Sequence, residues 1–176
     1  MDDALVVPNP IPVFAFAGFS NSGKTTLVCK VIANLKERGL RIASVKHDGH
    51  DFSMDQQGKD TWQHQQAGAE VVAITSANKL AILDYRSYER EEQLKQVLQY
   101  IRDVDLIIVE GFKTVPIPKI FIVRDPSHIK HIEELPAIEG IATDLPRDFF
   151  VEQTGLPVYD INDVQSLCNY IVNRFS

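Results

Sequence analysis

Residues 18–25, Gly18-Phe19-Ser20-Asn21-Ser22-Gly23-Lys24-Thr25, carry the spacing G-x-x-x-x-G-K-[ST], and few short patterns restrict a fold more tightly. Such a loop wraps a phosphate chain. Its glycines carry no Cβ, so successive backbone N–H groups can curl around phosphate oxygens, with Asn21 and Ser22 in the curl. The Lys24 ammonium suits β- and γ-phosphates, and the Thr25 hydroxyl suits Mg²⁺, with Thr26 next in line. The arrangement works where a strand feeds the loop and a helix leaves it, because the positive end of the helix dipole then lies under the anion. This chain meets both conditions. Ile11-Pro12-Val13-Phe14-Ala15-Phe16-Ala17 is a short apolar run of strand character, and Leu27, Val28, Val31, Ile32 and Leu35 form the stripe of an amphipathic helix.

Beyond this unit, strand patterns alternate with helical ones, the mark of an α/β fold. Gly39 is placed to end the first helix, and Leu40 to Val45 reads as a second strand. His47 to Gly58 is polar and irregular. Lys59 to Gly68 reads as a short helix with Trp62 and Ala67 as its apolar contacts. Glu70–Thr75 and Lys79–Tyr85 read as a hairpin around Ser76-Ala77-Asn78. Residues 89–103 predict a helix with Leu94, Val97, Leu98 and Ile101 on one face and a Glu91–Lys95 pair. Val104 to Val109 is an apolar run typical of a buried parallel strand. Lys119–Arg124 and Ile138–Thr143 predict two more strands, and 163–174 a closing helix with Asn162 and Gln165 as a capping box. The expected architecture is a mostly parallel, P-loop NTPase-like sheet flanked by helices with an added β-hairpin. At 176 residues it reads as a single nucleotide-binding domain over 1–176.

A net charge of −6 argues against a non-specific nucleic-acid or anionic-membrane binder, since both need a basic face. Cys29 and Cys168 are far apart and lack C-x-x-C spacing, which predicts buried thiols in a reducing compartment. The start, Met1-Asp2-Asp3-Ala4, is acidic rather than basic, unlike a secretory signal. Pro8, Asn9, Pro10 and Pro12 break the longest apolar candidate for a membrane span. The expected setting is the cytoplasm.

Phosphate binding alone does not make chemistry, because Mg²⁺ also needs a carboxylate. Glu110 ends the buried run Leu106-Ile107-Ile108-Val109, and ligands of open parallel sheets sit beyond the carboxyl ends of the strands. Glu110 is therefore the expected acid beside Mg²⁺, sharing the metal with Thr25. Asp105, at the other end of that run, reads as a solvated strand-start residue. Lys46-His47-Asp48-Gly49-His50-Asp51 follows the second strand and lies on the same rim if that strand is parallel. Asp48 could hold a water, and His47 or His50 could contact phosphate or a second ligand. The rival reading takes His47, His50 and Asp51 or Asp55 as a transition-metal site. For base recognition, Asn78-Lys79-Leu80-Ala81 has alanine where a guanine-reading aspartate must stand. Asp144, ending Ala142-Thr143-Asp144, can supply that carboxylate or be an ordinary turn residue before Pro146.

Together these stretches resemble the MobB family of P-loop NTPases, named for molybdopterin-guanine dinucleotide biosynthesis. The resemblance rests on Gly18 to Thr26, on Lys46-His47-Asp48-Gly49-His50, and on Asp55 with Gly58-Lys59-Asp60-Thr61. It continues in Ala67-Gly68-Ala69 and in Glu110-Gly111-Phe112-Lys113 followed by Pro118-Lys119-Ile120. It implies a GTP-binding, weakly GTP-hydrolysing accessory protein of molybdenum-cofactor maturation, using Mg²⁺ and assisting a molybdopterin guanylyltransferase. It also implies a homodimer with a shared, extended sheet. By position, Gly23, Lys24, Thr25 and Thr26 would bind phosphate and Mg²⁺, with Glu110 near the metal. Lys46, His47, Asp48 and His50 would line the pocket toward the γ-phosphate or the molybdopterin. Lys59, Asp60, Lys113 and Lys119 match motif positions without an assigned role.

Other classes remain open. A small-molecule kinase shares the loop, but such kinases screen the transferred phosphate with clustered arginines. Here Arg86, Arg90, Arg102, Arg124 and Arg147 are scattered. A metallochaperone GTPase would be expected to carry a His-rich or C-x-C element. A pure binding module would hold nucleotide without turnover; the absence of an obvious base or arginine finger predicts slow hydrolysis in any case.

Overall fold

A computed structural model describes residues 10–175. The acidic start and the breakers Pro8 and Asn9 lie outside them. Chain contacts divide the protein into two compact units, one built from the segments before Asp48 and after Glu89, the other from Asp48–Glu89.

The larger unit holds a six-stranded sheet in the order β2-β5-β1-β6-β7-β8. Its strands are β1 (Val13–Gly18), β2 (Ile42–Lys46), β5 (Leu106–Glu110), β6 (Lys119–Ile122), β7 (Ile138–Thr143) and β8 (Val158–Asp160), and every neighbouring pair is parallel. The central strands read as unbroken apolar runs because both faces are covered. Phe14 and Phe16 pack with α1 (Lys24–Glu37) and α5 (Val164–Phe175) on one face. Val13 and Ala15 face the opposite way, into a cluster with Leu94 and Leu98 of α3 (Arg90–Tyr100). Farther along that second face, Phe121 and Ile141 pack with Phe150 of α4 (Arg147–Thr154) and Ile132, beyond a 3-10 turn over Pro126–His131.

The smaller unit holds α2 (Asp60–Gln66) and an antiparallel hairpin of β3 (Val71–Thr75) and β4 (Leu80–Asp84). The expected hairpin is present; in α2 Trp62 is half-buried, whereas Ala67, expected beside it as an apolar contact, is exposed.

Several local expectations need correction. Helix α3 stops at Tyr100, before Asp103 takes a left-handed φ of 58°, and Val97 lies 39% exposed rather than on the buried face. The Glu91–Lys95 pair forms at 2.9 Å. Asp163, rather than Asn162, caps α5, accepting from Ser166 N at 3.0 Å and Ser166 Oγ at 2.6 Å. Cys168 is buried, its thiol pushed up to about 11 by desolvation, whereas Cys29 is exposed on α1. Asp105 is half-buried and held by Arg41, whose NH2 and Nε donate to its two oxygens at 2.7 and 3.1 Å. Among the described residues no helix is long and apolar enough to cross a membrane.

Candidate functional site

The loop Gly18–Thr25 joins β1 to α1 at the carboxyl edge of the sheet. Its geometry explains its composition. A Cβ on Gly18 would lie 2.9 Å from both Ile122 O and Ser22 Oγ, so no larger residue fits. Gly23 (φ 83°) and Asn21 (φ 62°) adopt left-handed conformations that curl the main chain. Helix α1 opens with no side-chain cap and no acidic residue in its first turn, leaving the positive end of its dipole uncompensated.

Lys24 Nζ donates to Phe19 O at 2.6 Å, across the base of the loop. Desolvation is the main cause lowering its pKa; Glu110 opposes this, while Lys46 and Lys113 add to it. The Thr25 hydroxyl donates to Glu110 Oε1 at 2.7 Å. Glu110 is buried at the end of β5, in register with Phe16 of β1 and Lys46 of β2. Lys46 Nζ lies 4.0 Å from Glu110 Oε1, so β2 does bring its end to the expected rim. His47 N donates to Glu110 O at 2.9 Å, and a Cβ on Gly111 would come within 3.0 Å of His47 O. Thr26 is exposed in the first turn of α1.

This donor set fits a nucleotide and Mg²⁺. Ser22 Oγ is buried without a hydrogen-bond partner, a polar atom aimed nowhere within the protein. Thr25 and Glu110 supply the hard oxygen donors that Mg²⁺ takes. Lys24 would reach the phosphates and neutralise them.

Asp48 and His50 belong to the smaller unit, where Asp48 Oδ1 accepts from His50 N at 3.2 Å in a local turn. Asp55 accepts from Thr61 Oγ1 at 2.9 Å. Among the described residues no three His, Cys, Asp or Glu side chains gather as a metal cage, so the rival transition-metal reading finds no support. Asp144 directly follows β7 at the carboxyl edge of the sheet, and Arg124 Nε donates to its Oδ2 at 2.9 Å, with a second bond from Arg124 NH2. These bonds hold the Asp144 carboxyl below the usual range. Arg124 also borders the loop: a Cβ on Gly23 would lie 3.6 Å from its NH1.

Sequence reasoning missed Arg124 as a member of the site and missed the surroundings of Phe19. The Phe19 ring centroid lies 4.1 Å from that of His128 and 5.2 Å from that of His131. Nothing in spacing signals a contact between a glycine-loop residue and a 3-10 turn more than 100 positions later.

The family model for molybdopterin guanine dinucleotide synthesis protein B, MobB, matches residues 13–144. The molybdopterin-guanine dinucleotide biosynthesis adapter protein of Escherichia coli K12 is 36% identical over 167 residues, covering 92% of each chain. Its Haemophilus influenzae namesake is 33% identical over 178 residues, covering 94% of this chain and 90% of that one. The crystal structure of Bacillus subtilis MobB superposes with a TM-score of 0.70 at 28% identity, covering 94% of this chain and 99% of that one. Sequence and fold agree over most of the chain, which belongs to the MobB family.

Proposed function

We propose that this protein is a GTP-binding, weakly GTP-hydrolysing accessory factor of molybdenum-cofactor biosynthesis. It works in the cytoplasm with a molybdopterin guanylyltransferase, which joins a guanine nucleotide to molybdopterin. The observation that carries the reading is the Thr25–Glu110 bond beside Lys24, an Mg²⁺-and-phosphate constellation at the carboxyl edge of a parallel sheet. The adapter role of the relatives supplies the pathway.

In this reading the backbone of Gly18–Gly23 and the α1 terminus hold the phosphates. Lys24 leaves Phe19 O for the β/γ-oxygens, and Thr25 with Glu110 holds Mg²⁺ directly or through water. The metal supplies charge neutralisation when bound. Asp144 reads the guanine edge once the base approaches its carboxylate. Slow turnover is expected because four arginines of the chain are already committed to ion pairs: Arg41 to Asp105, Arg86 to Asp84, Arg124 to Asp144 and Arg174 to Glu139. The homodimer reading finds support in the hairpin, whose Val71, Ile74 and Leu80 are 40%, 53% and 68% exposed.

Calorimetric titration with GTP and ATP, with and without Mg²⁺, tests the nucleotide. Adding the chain to a guanylyltransferase assay tests the accessory role. Tight, Mg²⁺-dependent GTP binding and a faster partner are expected; preference for ATP with a phosphorylated small-molecule product would replace this reading with a kinase.

A further inference from the structure

The loop leaving β5, residues 111–118, is anchored at both ends. At its start, Gly111 (φ 98°) and Phe112 (φ 48°) bend the chain, and the buried Phe112 ring lies 4.6 Å from the His47 ring. At its far end, Lys119 is wholly buried, and its Nζ donates to Val115 O at 2.9 Å and Pro136 O at 2.5 Å. Val115 N in turn donates to Phe112 O at 3.1 Å. A buried lysine is tolerated only when hydrogen bonds offset its lost hydration. Lys119 therefore clamps main chain and is not available to a ligand.

Between these anchors Lys113 stays exposed. Its Nζ lies 4.9 Å from the centroid of the Phe19 ring, within the phosphate loop itself. The carbonyl of the same Phe19 accepts from Lys24. Both Lys113 and Lys46 act electrostatically on Lys24. Three ammonium groups thus meet around the phosphate loop, Lys113 over Phe19, Lys24 on its carbonyl and Lys46 4.0 Å from Glu110, in a chain of net charge −6. Like charges held together repel, and a polyanion removes that repulsion.

We propose that Lys113 is a phosphate ligand of this site, resting on the Phe19 ring here and moving onto the terminal phosphate of a bound nucleoside triphosphate. An exposed cation–π contact is a weak resting place beside a charge-assisted bond to phosphate. The terminal phosphate is the one that brings the additional negative charge that a third ammonium matches. The inference rests on the nucleotide reading above.

The test is calorimetry on the full chain with a non-hydrolysable GTP analogue and with GDP, each with Mg²⁺. Lys113→Ala is expected to weaken the triphosphate analogue by about tenfold or more and GDP by less than about twofold. Lys113→Arg should restore most of the triphosphate affinity, and both variants should melt with the wild type because the side chain is exposed. Equal losses for both ligands, or none, overturn the role of Lys113 while leaving the phosphate loop in place. A wild-type chain that binds neither ligand removes both readings at once.

Discussion

The Thr25 hydroxyl donates to Glu110 Oε1 at 2.7 Å, joining the first turn of α1 to the end of β5 across 85 positions of sequence. Both are hard oxygen donors of the kind Mg²⁺ takes, brought together at the carboxyl edge of the sheet by a helix start and a strand end. Glu110→Gln keeps the shape and removes the charge. It is expected to weaken Mg²⁺-dependent GTP binding by about tenfold while barely touching binding in EDTA. Calorimetry under both conditions checks this, and equal losses would make Glu110 a structural residue.

Lys24→Ala should abolish tight triphosphate binding and leave the fold intact. Its ammonium donates to a loop carbonyl, Phe19 O, and Lys24 belongs to none of the buried apolar clusters described above. Circular dichroism and a melting curve read the fold, and a nucleotide titration reads the site. Unchanged affinity would remove the central assignment.

Asp144 is the test of base choice. Asp144→Asn replaces an acceptor-only group with one that also donates. GTP should bind about tenfold or more weakly and xanthosine triphosphate more tightly, as competition titration would show. If GTP binding is unchanged, the carboxylate serves only Arg124.

Lys119 makes stability depend on pH. Burial lowers its pKa to about 8, against 10.5 for an ordinary lysine. Between those values the unfolded chain binds more protons at this position than the folded chain, so folding strengthens as pH rises through the window. Lys119→Met should remove this component while leaving Val115 O and Pro136 O without their donor, at a cost of about 1–3 kcal/mol each. Urea midpoints of both proteins from pH 7.5 to 10.5, about the window just described, should diverge in favour of the wild type. Parallel curves would contradict the shift.

The hairpin is where pairing of subunits can be tested. Ile74→Glu and Leu80→Glu each place charge on exposed apolar positions of β3 and β4. Light scattering after gel filtration should show the wild type as a dimer and the double variant as a monomer. A wild-type monomer at micromolar concentration would end the homodimer reading.

What could be read from sequence followed from which signals are local. The phosphate loop, its flanking strand and helix, and Glu110 at the end of an apolar run are all contiguous patterns, and the structure places them together. Short elements escaped notice: β8 has three residues and α4 buries only Phe150, too little for a period to show. Partnerships set by tertiary contact were equally hidden. No spacing pairs Arg124 with Asp144, and Lys119, which opens β6, takes a role only when its carbonyl partners are seen. Val97 failed because a helix stripe names a face but not how wide the covering core is, and Cys29 because cysteine spacing says nothing of which helix face a thiol occupies.

Phe112 keeps a large side chain in a conformation that glycine adopts freely, with its neighbour Gly111 bent the same way. The backbone tension there, on the order of 1 kcal/mol or more, is retained because the ring must wedge against His47. Replacing Phe112 by glycine would relieve that tension and remove the ring that packs on His47, just past the end of β2. In this family member, accuracy of aim has been chosen over comfort of the chain.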